Sequence, residues 1–364
     1  MSRPPTLTPP PAARARPLHT ARGEFAVLDH PVAAGVEPRG TALMLPGFTG
    51  SKEDFLLLHE PLAARGYRTV AVDGRGQYES DGPADDQAPY AQAELARDVL
   101  AQAEALGTPL HLFGHSLGGQ IARAAVLLDH RPFLSLTLMS SGPARISAPQ
   151  RERVTLLRQA LTEMTMAQVW EAIETTGTPK DAGTPEDAGT PEDARAAEDR
   201  GTPEDVGAPE DMEGPEDRGT PEDVGAPEDM EGPEYTGGPE YTGGPEYPGG
   251  PEGTGGSAGG DGGQEHLRHR WLAHQPAQLI ATGHQLCTEP DRVAELAAVP
   301  LPCHVLSGAS DDTWPVPLLD DMAVRLRARR TVVPGAEHSP NIDQPLATAR
   351  AVADFWDTLH PSTG

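Results

Sequence analysis

The 364-residue sequence predicts an α/β protein: a mostly parallel, doubly wound sheet with a helical cap that a disordered acidic repeat arm interrupts. Three observations lead there. Short apolar runs alternate with helical patterns, which argues for a parallel sheet covered by helices. Several of those runs are apolar throughout, as strands buried on both faces are. One stretch, residues 177–265, abandons both patterns for a hexad repeat.

Taken in order, residues 1–22 (MSRPPTLTPPPAARARPLHTAR) are rich in Pro and Arg and lack the apolar run of a secretory signal. They predict a disordered N-terminal tail and a cytoplasmic protein. The first part of the core is expected over 23–143, with strands at 24–28, 41–45, 68–72, 110–113 and 134–139. Helical patterns fall at 53–64, 91–105 and 118–128. The first part of the cap is expected over 144–176 and the second over 266–299. In TMAQVWEAIE, Thr165 and Gln168 stand at capping-box spacing, and Met166, Val169, Trp170 and Ile173 fall on one helical face. EHLRHRWLAH, residues 265–274, predicts a second cap helix. The core resumes over 300–364, with strands at 303–306 and 331–333 and helices at 317–327 and 346–359.

The arm holds 25 acidic and 4 basic side chains, so it carries most of the formal net charge of −27. Its hexads, GTPEDA and later GGPEYT, repeat Pro and Glu where a β-helix rung would need an aliphatic side chain. Pro, Gly and like-charge repulsion oppose a packed core, so an extended, solvated arm is expected. The acidic balance and the lack of a basic stripe argue against nucleic acid or an anionic membrane as a partner. No apolar run approaches the roughly 18 residues of a membrane span. Cys287 and Cys303 stand in no CxxC pair or His cluster, so two buried thiols and no metal site are expected.

The chemistry gathers around HLFGHSLGGQIARAAVLL, residues 111–128. Gly114-His115-Ser116-Leu117-Gly118 is GxSxG after a predicted strand and before a predicted helix, the context of a nucleophile elbow. A serine hydroxyl needs a base to take its proton and an acid to orient that base. His338, in VVPGAEHSPNIDQP, follows the last predicted strand, where catalytic groups gather in open α/β sheets. His115 adjoins Ser116, but consecutive positions at a sharp turn point apart, so it is given a packing role. CHVLSGASDDTWPVP places Asp311 and Asp312 just past another strand; Asp311 is preferred as the acid, with Asp312 as its rival. In LMLPGFTGSKEDF, Gly47 lets the chain bend so that the Phe48 N–H faces the substrate, and the Leu117 N–H is the second oxyanion donor. Asp73 in DGRGQYESDGP is assigned a structural role. Trp314 either lines the pocket or packs beneath the cap. Substrate-binding residues are unknown from sequence.

These segments together resemble the α/β-hydrolase superfamily, in its cap-bearing branch, similar to bacterial esterase-like and peptidase-like members. The resemblance covers roughly residues 24–360 apart from the arm. It implies the α/β-hydrolase fold and a Ser116–Asp311–His338 triad, with oxyanion donors at Phe48 and Leu117 and no cofactor. It further implies a small-molecule acyl substrate cleaved through an acyl-enzyme. An aminopeptidase or carbon–carbon bond hydrolase would use the same triad. An idle scaffold recruiting a basic partner through the arm is the reading from another class. Where many members carry a His before the oxyanion Gly, this chain has Pro46, which removes a side chain that commonly organises that loop. Natural substrate, pathway and oligomeric state are left open by the sequence.

Overall fold

A computed structural model describes residues 4, 6–176 and 261–360 of the chain. Among the described residues, eight strands form one sheet: β1 (Arg14–Thr20), β2 (Gly23–His30), β3 (Gly40–Leu45), β4 (Tyr67–Val72), β5 (Leu110–His115), β6 (Phe133–Met139), β7 (Cys303–Gly308) and β8 (Arg329–Val333). Their spatial order is β1-β2-β4-β3-β5-β6-β7-β8. The β1–β2 and β2–β4 pairs are antiparallel and every other pair is parallel. The predicted doubly wound α/β class is therefore the observed one.

The alternation of side chains along β3 shows how the sheet is covered. Leu43 and Leu45 enter one apolar cluster with α2 (Gln92–Leu106), α3 (Leu117–Leu128) and α9 (Val316–Leu326). Ala42 and Met44 enter a second cluster with α1 (Leu56–Ala63) and α11 (Pro345–Asp357). Two buried faces require strands that are apolar throughout, and β5 is buried at every position.

Between β6 and β7 the chain forms α4 (Ala148–Glu163), α5 (Met166–Thr176), α6 (Asp261–Ala273), α7 (Pro276–Thr288) and the short α8 (Val293–Ala297). Leu161, Val169, Trp170, Trp271 and Leu279 make a core shared by α4 to α7. The capping box of α5 closes as its spacing predicts: Thr165 N–H donates to Gln168 Oε1 at 2.9 Å and Gln168 N–H to Thr165 Oγ1 at 3.3 Å. By contrast, Ser147 and Gln150 stand at the same spacing where α4 begins, yet Ser147 makes no side-chain cap hydrogen bond there.

Three expectations need correction. The tail expected to be disordered over 1–22 contains β1, which pairs with β2 from Arg14 opposite Asp29 to Thr20 opposite Gly23. Pro17 reads as a breaker in sequence, yet an edge strand has a neighbour on one side only and tolerates it. Leu18 anchors the strand in the core, and Arg16 donates to Asp29 at 2.8 Å. The arm expected over 177–265 ends earlier, because α6 begins at Asp261, where Gln264 Nε2 reaches Glu174 Oε1 at 2.8 Å. Its remaining residues, 177–260, lie outside the described residues. Of the two thiols, Cys303 is buried but Cys287 is only half-buried.

Candidate active site

Ser116 sits at the corner between β5 and α3 with φ +54° and ψ −118°, a conformation that non-glycine residues rarely adopt. The corner is possible because its flanks lack side chains. A Cβ on Gly114 would fall on the backbone of Gly118 and Gly119, and one on Gly118 would fall on the carbonyls of Leu45 and Pro46. The glycines of GxSxG are thus demanded by backbone-to-backbone approach.

Two loops at the carboxyl ends of β7 and β8 meet this corner. His338 Nε2 lies 3.1 Å from Ser116 Oγ, and His338 Nδ1 lies 3.0 Å from both carboxylate oxygens of Asp311. Asp311 Oδ1 also accepts the backbone N–H groups of Thr313 at 2.9 Å and Trp314 at 3.1 Å. Burial raises the Asp311 pKa, but the hydrogen bond and charge of His338, joined by the two N–H groups, prevail and hold it below the ordinary aspartate value. Asp312 turns away from the imidazole: at the rim of the same cavity its carboxylate accepts Gln150 Nε2 at 2.6 Å. Of the two rival aspartates, only Asp311 reaches His338.

His115 is buried, and burial together with the nearby His338 presses its pKa down to about 3. The ring is therefore neutral. Its Nε2 donates to the backbone carbonyl of His338 at 2.9 Å, so the packing role expected for His115 includes holding the loop that carries His338. Trp314 is wholly buried, with its Nε1 donating to Ala144 O at 2.8 Å; it packs beneath the helical insertion. Asp73 is buried and accepts both the backbone N–H and the Nζ of Lys52, each at 2.7 Å.

The Pro46–Gly50 loop forms the opposite wall. A Cβ on Gly47 would stand 3.4 Å from Ser116 Cβ, so this loop runs close beside the corner. The N–H groups of Phe48 and Leu117 donate to no other described residue. A cavity of about 490 Å³ opens here, lined by Gly47, Phe48, Ser116 and His338 and, from the insertion, by Arg153 and Leu286. The carbonyl of Gly47 accepts Gln77 Nε2 at 2.9 Å, a contact that sequence reading missed because Gln77 lies 30 positions away. The insertion is tied to the same loop: His274 Nε2 lies 3.2 Å from Gly50 O, and the Arg270 guanidinium donates to Asp54 at 2.7 Å. Among the described residues no group of three or more His, Cys, Asp or Glu could hold a metal ion. No helix there is long and apolar enough to cross a membrane.

Comparison with known proteins agrees with this architecture. A family model described as "Alpha/beta hydrolase family" matches residues 42–351. The thermophilic esterase from Thermogutta terrifontis is similar in structure, with a TM-score of 0.58 at 16% identity over 96% of this chain and 100% of that one. An esterase from Exiguobacterium antarcticum gives 0.59 at 15% identity over 94% and 100%. In sequence, RutD of Variovorax paradoxus (strain S110), named as a carbamate hydrolase, is 40% identical over 81 residues. That match spans 22% of this chain and 30% of the relative, under a third of its length.

Proposed function

The chain belongs to the alpha/beta hydrolase family, and from that premise we propose that it is a serine hydrolase cleaving a small or medium carboxylic ester, or a related acyl bond, through an acyl-enzyme. The observation that carries this reading is the line of contacts from Ser116 Oγ through His338 to Asp311, at 3.1 and 3.0 Å. Ser116 Oγ attacks the acyl carbon as His338 Nε2 takes its proton. Asp311 holds the Nδ1–H of that ring, which keeps the lone pair of Nε2 facing the serine and stabilises the imidazolium that forms. The carbonyl oxygen, now negative, is received by the N–H groups of Phe48 and Leu117. His338 returns the proton to the leaving group, then draws one from the water that attacks the acyl-enzyme and passes it to Ser116 Oγ as the acyl product departs. No step calls for a metal or cofactor.

A cavity of about 490 Å³ suits a small or medium substrate. The partial likeness to a protein named as a carbamate hydrolase makes carbamates a worthwhile part of the substrate panel. Purified protein is expected to hydrolyse short p-nitrophenyl esters and to be labelled by a fluorophosphonate, with both properties lost in Ser116→Ala. Absence of turnover and of labelling in the wild type would overturn the enzymatic reading in favour of a non-catalytic scaffold. Assays on aminoacyl amides and β-diketones separate the aminopeptidase and carbon–carbon hydrolase alternatives.

A further inference from the structure

We propose that Gln77 is a positioning residue for oxyanion binding: its side-chain amide clamps the carbonyl of the Gly47–Phe48 peptide and thereby presents the Phe48 N–H to the cavity beside Ser116. This rests on the reading of Ser116 as the nucleophile.

Gln77 is 5% exposed, and both ends of its amide are engaged. Nε2 donates to Gly47 O at 2.9 Å, and Oε1 accepts the Gly74 N–H at 3.0 Å. A carbonyl only accepts and a backbone N–H only donates, so these partners determine which end of the amide is which. The approach of Gly74 depends on its having no side chain, since a Cβ there would lie 2.8 Å from Oε1. On either side of Gln77 the backbone turns through positive φ, +70° at Gly76 and +40° at Tyr78. Glycine adopts such a φ freely, whereas at Tyr78 it persists only where the surroundings enforce it.

The consequence follows from peptide geometry. A trans peptide sets its C=O and N–H on opposite edges of one plane. With the carbonyl held toward Gln77, the Phe48 N–H faces the other way. Gly47, Phe48 and Ser116 all line the cavity, a Cβ on Gly47 would stand 3.4 Å from Ser116 Cβ, and the Phe48 N–H donates to no other described residue. A second donor, the Gly50 N–H at 3.2 Å, also meets the Gly47 carbonyl. Two donors on the carbonyl polarise the peptide and make its N–H a stronger donor. A donor already aimed at the developing charge needs no reorganisation when that charge appears.

Two full-length variants test this. Gln77→Leu removes the clamp at similar volume. Gln77→Glu still accepts the Gly74 N–H but, assayed at a pH where it is ionised, sets a carboxylate oxygen against the Gly47 carbonyl, and by keeping the shape of the glutamine it guards against loss of folding in the first. In both, kcat on a p-nitrophenyl ester is expected to fall about 10- to 100-fold, somewhat less than for direct loss of an oxyanion donor. KM should stay near wild type in both, and in Gln77→Leu the pH at which kcat/KM rises should not move. Affinity for a trifluoromethyl ketone, which forms a tetrahedral adduct, should fall in step with kcat. Folded variants that keep wild-type kcat and ketone affinity, or that lose only KM, would overturn the proposal. Wild-type protein that shows neither turnover nor fluorophosphonate labelling would instead remove the premise about Ser116, and this inference with it.

Discussion

Asp311 shows how one side chain serves both stability and orientation. Its carboxylate gathers the His338 ring and two backbone N–H groups in a mostly buried position, and its pKa stays below the ordinary 3.8. A carboxyl whose folded value is depressed contributes stability that is fully present above the unfolded value and is lost as pH falls through the folded one. Acid titration of the thermal midpoint should therefore show a contribution that fades below about pH 4 and is absent in Asp311→Asn. The same variant should lose most of its turnover, while Asp312→Asn, whose carboxylate meets Gln150 at the cavity rim and not His338, should keep a kcat near wild type. Equal losses in the two variants would contradict the assignment. Residue type and spacing narrow the candidate acid to a pair in the sequence; which of the two carboxylates faces His338 is a matter of loop direction.

At the scale of elements, two glycines sharing one chain predict opposite outcomes. Gly118 opens α3 where a Cβ would overlap the carbonyls of Leu45 and Pro46, both main-chain atoms with no room to yield. Gly118→Ala should therefore lower the melting temperature and displace the corner at Ser116. Gly263 lies in α6 with nothing within 4 Å of its missing Cβ. Gly263→Ala should raise stability, by up to about 1 kcal/mol, because alanine loses less backbone freedom on entering a helix. Differential scanning calorimetry on the two variants decides the matter; a stabilised Gly118→Ala would contradict the packing described. Elements with an apolar period, such as α2, α3 and α11, were legible in sequence to within a few residues. The edge strand β1 was not, because one buried leucine and an internal proline give no periodic signal, and its stability comes from a partner strand.

Across the whole molecule, buried histidines form a distributed acid sensitivity. Burial presses His59, His111, His115 and His304 to about 3 and His274 to about 4, against an ordinary 6.5. Between those values the unfolded chain binds protons that the folded chain refuses, so stability falls as pH drops below about 6.5. Each such ring steepens the fall by up to about 1.4 kcal/mol per pH unit. Melting temperature should hold steady from pH 8 to 7 and drop markedly by pH 5. A flat profile over pH 7 to 5 would show that these rings take up protons without unfolding.

Composition and order alone determined that this chain alternates strands and helices, that GxSxG stands at a strand-to-helix corner, and that an aspartate pair and a histidine follow later strands. Those features are local: they depend on the period of apolar residues and on which residues a tight turn admits. Tertiary structure alone decided that Asp311 and not Asp312 meets His338, that His115 holds the loop behind it, and that Gln77 clamps Gly47. Each of these joins residues between 27 and 223 positions apart. Their partners are chosen by the register of a parallel sheet that brings the carboxyl ends of its strands together, and no single segment encodes that meeting.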